Sequence, residues 1–413
     1  MIEKRLIDIS RNISSGITPL RSNDEFWTDG TIPWLKTEQL GEKYIFDTNE
    51  HITEKALQEA NVKIFPENTL SIAMYGEGKT RGNVSILKRP MATNQACCNI
   101  ELDEEKVSSE YVYYFLKTQY ENLRGLSSGI RKNLNTNDIK NFVVRLPENL
   151  KTQQSIAAVL SALDKKIALN KQINARLEEI AKTLYDYWFV QFDFPDANGK
   201  PYKSSGGEMV FDETLKRDIP KGWEVKSLNQ VADIVMGQSP DGASYNLEQE
   251  GTIFFQGSTD FDWRFPNVRQ YTTSPTRFAQ KGDILLSVRA PVGDLNIAPF
   301  ECCIGRGLAA LRSKSGNNSF LFYVMKYFKT VFERRNTEGT TFGSITKDDL
   351  HSLKLVAPAD NVLEKYNEIA SKYDEMIFIR SQQNHQLTQL RDFLLPMLMN
   401  GQISVTCSGA RDG

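Results

Sequence analysis

The feature that most constrains this chain is that it repeats itself. Gly16-Ile-Thr-Pro19 is answered by Gly237-Gln-Ser-Pro240 at an offset of 221, and Gly30-Thr-Ile by Gly251-Thr-Ile at the same offset. NTLSIAMYG (68–76) matches DILLSVRAPVG (283–293) at an offset near 216. SSGIRKNLNTNDIKNFVVRLP (127–147) is answered by TEGTTFGSITKDDLHSLKLVAP (337–358) at 210 or 211. Each landmark alone is weak, but all fall in the same order. The offset shrinks steadily, as it does when two copies of one fold carry loops of different length.

Each copy reads in the same sequence. Short strands and loops come first. A helix-like stretch follows, 108–123 in one copy and 317–335 in the other. After a glycine-containing loop comes a capped turn, at Asn137-Asp-Ile or Lys347-Asp-Asp-Leu350. A strand ending in proline (143–147, 353–358) closes the copy. Strands and one helix in each copy predict an α+β fold.

A long helix is expected after each copy. Ile156, Leu160, Leu163, Ile167, Asn170, Asn174, Leu177, Ala181, Leu184 and Trp188 alternate in steps of four and three. So do Tyr366, Ala370, Tyr373, Ile377, Arg380, Asn384, Leu387, Arg391, Leu394 and Leu398. Those are heptad seams. Residues 152–189 would span roughly 57 Å as a helix. Both seams turn polar in the middle, and an antiparallel pairing would bring the polar middles together. The other reading has each helix packing only on its own copy. Ile156, Leu160, Leu163, Ile167, Asn174, Leu177 and Leu184 in the first helix, and Ile377, Asn384, Leu387 and Leu394 in the second, are the expected pairing residues.

Between the first helix and the second copy lies a segment rich in Pro, Gly and Ser, which reads as a connector. The expected division is 1–150, a central helix 151–190, a connector 191–222, 223–360, a C-terminal helix 361–403 and a tail 404–413.

Composition narrows the chemistry. No basic-then-apolar leader opens the sequence and no apolar run reaches the roughly 18 residues of a membrane span, so a cytoplasmic protein is expected. The cysteines Cys97, Cys98, Cys302, Cys303 and Cys407 and the histidines His51, His351 and His385 have no zinc-ligand spacing. No metal site is expected. Gly78-Lys79-Thr80 approaches a phosphate loop, but the position for its first glycine is Ala73. No dinucleotide fingerprint, nucleophile elbow or Asn/Asp-Pro-Pro-aromatic segment is present, and three histidines leave little general-base chemistry. Catalysis is not expected.

Net charge is −2, which argues against a strong nucleic-acid binder. The charge is uneven, however. Lys79, Arg81, Lys88 and Arg89 face one acid, Glu77, in residues 76–90. Arg124, Arg131, Lys132, Lys140 and Arg145 face Asp138, and Lys326, Lys329, Arg334 and Arg335 face Glu333. Weak net charge predicts weak binding alone, because counterion release scales with the phosphates contacted.

At this point the chain resembles a known family, the specificity (S) subunits of type I restriction-modification systems. The carriers are the twofold repeat, AKTLYDYWFVQFDFPDANGKPYKSSGG (181–207), IPKGWEVKSL (219–228), GQSP (237–240) and LRDFLLPMLMNGQI (390–403). The last residues, TCSGARDG, depart from the usual ending. The resemblance implies two pseudo-symmetric α/β target-recognition domains separated by two long antiparallel coiled-coil helices. Each domain reads half of a split, asymmetric double-stranded DNA site. The helices set the spacing and dock two methylation subunits. Two restriction subunits complete the assembly. S-adenosylmethionine, ATP and Mg are then expected on the partners and none on this chain.

Polar and basic residues on loops between short strands are the candidates for reading DNA. In the first copy these are Lys36, Thr37, Gln39, Lys79, Arg81, Asn94, Gln95, Arg131 and Lys132. In the second they are Gln256, Ser258, Arg264, Arg289, Arg306, Thr340, Thr341 and Phe342. Two other readings stand beside this one: a scaffold that bridges two identical partners without binding DNA, and an enzyme with an unfamiliar site.

Overall fold

The computed structural model describes residues 1–76, 78–126, 133–337 and 344–405, with the side chains of 333–337 set aside. The chain divides into two compact units: Met1–Leu169 with Asn384–Gly413, and Asn170–Gln383. Both mix strands and helices, as the alternating sequence pattern predicts.

In the first unit a five-stranded sheet runs in the order Ser10–Ser15, Cys97–Leu102, Leu70–Ala73, Val84–Leu87, Tyr44–Ile45. Leu70–Ala73 and Val84–Leu87 are buried along their whole length, which explains their uninterrupted runs of apolar and small residues. The helix Ser109–Thr118 covers the sheet and buries Tyr111 through Leu116. Ser108 caps its start, its hydroxyl accepting from the Tyr111 amide at 3.4 Å. A second sheet orders Glu50–Ile52, Ile32–Leu35 and Ala92–Thr93, the last two parallel. The N-terminal strand Ile2–Arg5 pairs antiparallel with Val143–Leu146.

The second unit follows the same plan. Ala232–Met236, Leu308–Ser313, Ile284–Ser287 and Leu295–Ile297 form one sheet. Tyr245–Asn246, Tyr271–Thr272, Thr252–Phe255, Cys302–Ile304 and Phe278–Ala279 form the other. Glu224–Ser227 pairs with Lys354–Ala357, as the first strand of the other unit pairs with its last. The connector is an ordered part of this unit. Phe194 stacks on Tyr202 at 4.6 Å and on Trp223 at 4.8 Å, and Met209–Asp212 forms a hairpin with Arg217–Pro220. Pro, Gly and Ser there shape turns around an aromatic cluster.

Two helices, Leu150–Tyr185 and Asp360–Met399, contribute to both units. In the first unit Ile156, Ala157 and Leu160 are buried in one core with Leu398 and Met399. Leu163, Leu387 and Leu394 are half-buried. Further along, Arg391 pairs with Asp164 at 3.0 Å and the Asn384 amide donates to the Ile167 carbonyl at 3.4 Å. In the second unit Asn170 donates to Gln383 Oε1 at 2.8 Å, and Asn174 to Ser381 Oγ at 3.1 Å and to the Ile377 carbonyl at 3.4 Å. Leu177 and Ile377 are buried and Leu184 half-buried. Within each unit one segment ascends as the other descends, so the segments run antiparallel. The asparagines are tolerated at core positions because they bond across to the facing helix.

One buried cation in each unit ties the strands to these helices. In the first it is Lys43, which donates to Tyr114 Oη at 3.0 Å and Ser161 Oγ at 2.6 Å and pairs with Glu110 at 3.3 Å. Burial pushes this ammonium below the ordinary lysine range, with Glu110 opposing the shift. Tyr114 in turn donates to Asp164. In the second it is Arg264, only 2% exposed, paired with Asp374 and lying 4.0 Å over the Phe322 ring. Burial pushes the Asp374 carboxyl up, and Arg264 and the Ser319 hydroxyl pull it back. Lys43 and Arg264 stand 221 residues apart, and Asp164 and Asp374 stand 210 apart. Those are the offsets of the repeat, so the clamp is one device built twice.

Candidate DNA interface

The repeated landmarks meet at one edge of each unit, held by the same backbone hydrogen bonds. The Gly16 amide donates to the Cys97 carbonyl at 3.3 Å, and Gly237 to Leu308 at 2.9 Å. Ile17 donates to Thr93 and Gln238 to Ile304. Asn94 donates to Leu35 at 2.9 Å and Gly305 to Phe255 at 2.8 Å. Met74 donates to Ala96 and Val288 to Gly307, while Leu134 donates to Met74 and Ile345 to Val288. Five segments per unit are thus woven into one frame.

Glycine is required where these segments cross. A Cβ on Gly16 would stand 2.0 Å from the Thr93 carbonyl oxygen, and one on Gly237 2.2 Å from that of Gly305. Those contacts explain the first residue of both GITP and GQSP. The third residue has a role too. Thr18 donates its hydroxyl to Gln95 Oε1, and the Ser239 hydroxyl accepts from the Arg306 amide at 3.3 Å.

The frame fixes which residues correspond. Lys36 matches Gln256, Gln95 matches Arg306, and Tyr75 matches Arg289. Gln95, Gln256, Arg289 and Arg306 are exposed. Ser258 opens a short turn beside Gln256. Asn94 uses its side-chain carbonyl on the turn, accepting from the Ala96 amide at 3.1 Å. Lys36 is already neutralised: its ammonium lies 2.7 Å from Glu38 and 2.6 Å from Glu50, and those bonds hold its pKa above the ordinary value. Thr37 is half-buried, and Gln39 Oε1 accepts from the Asn49 amide at 3.2 Å. Lys79 and Arg81 lie on the separate loop after Met74. There the Tyr120 hydroxyl donates to the Lys79 carbonyl at 2.6 Å. Arg131, Lys132, Thr340, Thr341 and Phe342 lie outside the described residues.

One expectation is corrected. Arg264 does not project toward a ligand; it is buried and bound to Asp374. Sequence alone does not tell a buried, paired arginine from an exposed one. Conversely, Arg277 was not anticipated. It is exposed beside the frame, its carbonyl accepting from the Ile304 amide at 2.9 Å. Arg269 and Arg312 of this unit pair with Asp260 and Asp283. Among the described residues Arg277, Arg289 and Arg306 form no ion pair. These three unpaired cations lie at or beside the frame, where a polyanion would neutralise them. Thr18 and Ser239 were missed as well, although GITP and GQSP already mark them as corresponding residues.

Among the described residues no group of three His, Cys, Asp or Glu side chains could hold a metal ion. Burial pushes Cys97, Cys98 and Cys302 up to about 12, which leaves them protonated and unreactive. No helix among the described residues is long and apolar enough to cross a membrane.

Comparison with known proteins agrees with this geometry. The family described as type I restriction modification DNA specificity domain matches residues 3–179 and again 220–389. The chain is 37% identical over 283 residues to the putative type I restriction enzyme MjaX specificity subunit of Methanocaldococcus jannaschii. That match covers 67% of this chain and 62% of the relative. It is 29% identical to the MjaIX specificity subunit of the same organism, over 97% of this chain and 93% of that one. The crystal structure of a type I restriction-modification S subunit from M. genitalium superposes with a TM-score of 0.64 at 16% identity, covering 96% and 95% of the two chains. That likeness shows the shared fold. The chain belongs to the type I restriction-modification DNA specificity family, whose subunits choose a DNA sequence and are not catalytic.

Proposed function

We propose that this chain is the sequence-reading subunit of a type I restriction-modification complex in the cytosol, each unit reading one half of a bipartite, asymmetric double-stranded DNA site. The observation that carries this is the frame built twice with different side chains on it. A shared backbone with Gln95 and Tyr75 on one copy, and Arg306 and Arg289 on the other, suits two half-sites of different sequence. The alternative scaffold that binds no DNA finds no support among the relatives.

The two long helices form an antiparallel coiled coil in this reading and fix the spacing of the half-sites. They also dock two methylation subunits. Exposed apolar side chains favour that role: Leu169 and Phe393 in the first unit, Ile180, Tyr187 and Ile379 in the second. S-adenosylmethionine, ATP and Mg belong to those partners and to two restriction subunits.

Co-expression with a type I methylation subunit, followed by genome-wide mapping of methyladenine, tests the reading. A split motif is expected, one half of which changes when residues 1–150 are exchanged for those of a relative. A complex that forms yet yields no split motif would overturn it.

A further inference from the structure

Resting on that reading, we propose that Gln95 and Arg306 are equivalent base-reading positions, Arg306 contacting a guanine in one half-site and Gln95 an adenine in the other. The frame places both side chains at the same point. Each follows the residue whose amide bonds to the end of the inner strand, Asn94 to Leu35 and Gly305 to Phe255. Each precedes the residue whose carbonyl accepts from the next strand end, Ala96 from Met74 and Gly307 from Val288.

The turn lets one large side chain project. In the first unit Asn94 is folded onto its own turn and Ala96 is buried. In the second the flanking residues are Gly305 and Gly307, and a Cβ on Gly307 would lie 2.8 Å from the Gln256 carbonyl oxygen. Gln95 and Arg306 are both exposed, and Arg306 meets no carboxylate among the described residues. By contrast Lys36, at another matched position, is held between Glu38 and Glu50.

The chemistry of the two side chains then assigns the bases. A guanidinium presents two parallel donors, which fit the O6 and N7 acceptors of guanine. A carboxamide presents one donor and one acceptor, which fit N7 and N6 of adenine. The Thr18 hydroxyl donates to Gln95 Oε1 and holds the amide beside the turn. The oxygen keeps a second lone pair for the adenine amino group, and Nε2 keeps its hydrogens for N7.

The test is selection of bound duplexes from a random DNA library by the full chain assembled with its methylation subunit, for wild type, Arg306→Ala, Arg306→Gln and Gln95→Ala. Wild type should select a guanine in one half and an adenine in the other. Arg306→Ala should lose the guanine preference at one position by about ten- to a hundredfold and leave the other half-site intact. Arg306→Gln should move that position toward adenine, and Gln95→Ala should relax one adenine in the opposite half. A wild-type split motif that all three variants keep would overturn this inference and leave the proposed function standing. So would a uniform loss of affinity with every preference retained, which marks a phosphate contact. A wild type that selects no split motif would overturn both.

Discussion

The two units share a skeleton and differ in what they hang on it. The same five backbone segments are laced by the same hydrogen bonds, and a buried cation anchors each unit to the long helices. Hydrogen-bonded frame and clamp recur because both are buried and must satisfy backbone and charge. The exposed positions carry no such debt to the fold and have diverged, Tyr75 against Arg289 and Gln95 against Arg306, and the half-buried, ion-paired Lys36 faces an exposed Gln256 in the other copy. Where two copies of one fold keep the interior and change the rim, the rim is where their functions differ.

The largest effect should come from breaking the clamp. Arg264→Ala takes the guanidinium away from the half-buried Asp374 carboxyl, which keeps the Ser319 hydroxyl, at a cost of about 3 kcal/mol. Denaturant unfolding with hydrogen exchange should show the loss concentrated in the second unit. If Lys43→Ala, at the corresponding position, destabilises the second unit as much as the first, the clamps are not independent. Crowding the frame should come next. Gly16→Ala and Gly237→Ala each push a methyl into a carbonyl oxygen and should cost about 1–3 kcal/mol. The DNA consequence should fall on one half-site per variant. A smaller loss, about 1 kcal/mol, is expected from the matched helix caps. Asn135 accepts from the Asp138 amide at 2.9 Å and Thr346 from the Asp349 amide at 3.2 Å. Asn135→Ala and Thr346→Ala should lower thermal stability to a similar degree, and a marked inequality would show that the closing turns have diverged.

Much of this architecture was legible because the repeat is written in residues with strict backbone duties. Glycines that meet a carbonyl, and Asn or Thr caps, leave marks at fixed offsets. The clamp was hidden although Lys43 and Arg264 keep the same offset as GITP and GQSP. Lysine and arginine differ as letters, and nothing in their neighbours reveals burial. The connector was hidden for a related reason. Its Pro, Gly and Ser mask Phe192, Phe194, Tyr202 and Trp223, whose cluster forms only once the chain turns back on itself. Arg277 escaped because no sequence landmark lies beside it; it comes to the frame through pairing of Phe278–Ala279 with Cys302–Ile304.

The smallest effect separates two lysines of the first unit that sequence treats alike. Lys36 lies between two carboxylates, whereas Lys79 is exposed on the loop after Met74 and forms no ion pair among the described residues. A cation already neutralised within the protein has few counterions to release from DNA, while a solvated one releases its share. Lys79→Ala should therefore flatten the dependence of log affinity on log salt by about one unit if it meets a phosphate. Lys36→Met should leave that slope nearly unchanged. Salt titrations of the assembled complex would read both. Equal slopes lost from the two variants would mean that DNA opens the Lys36 cluster on binding, freeing Glu38 and Glu50, and that this rim is rebuilt rather than preformed in the first unit.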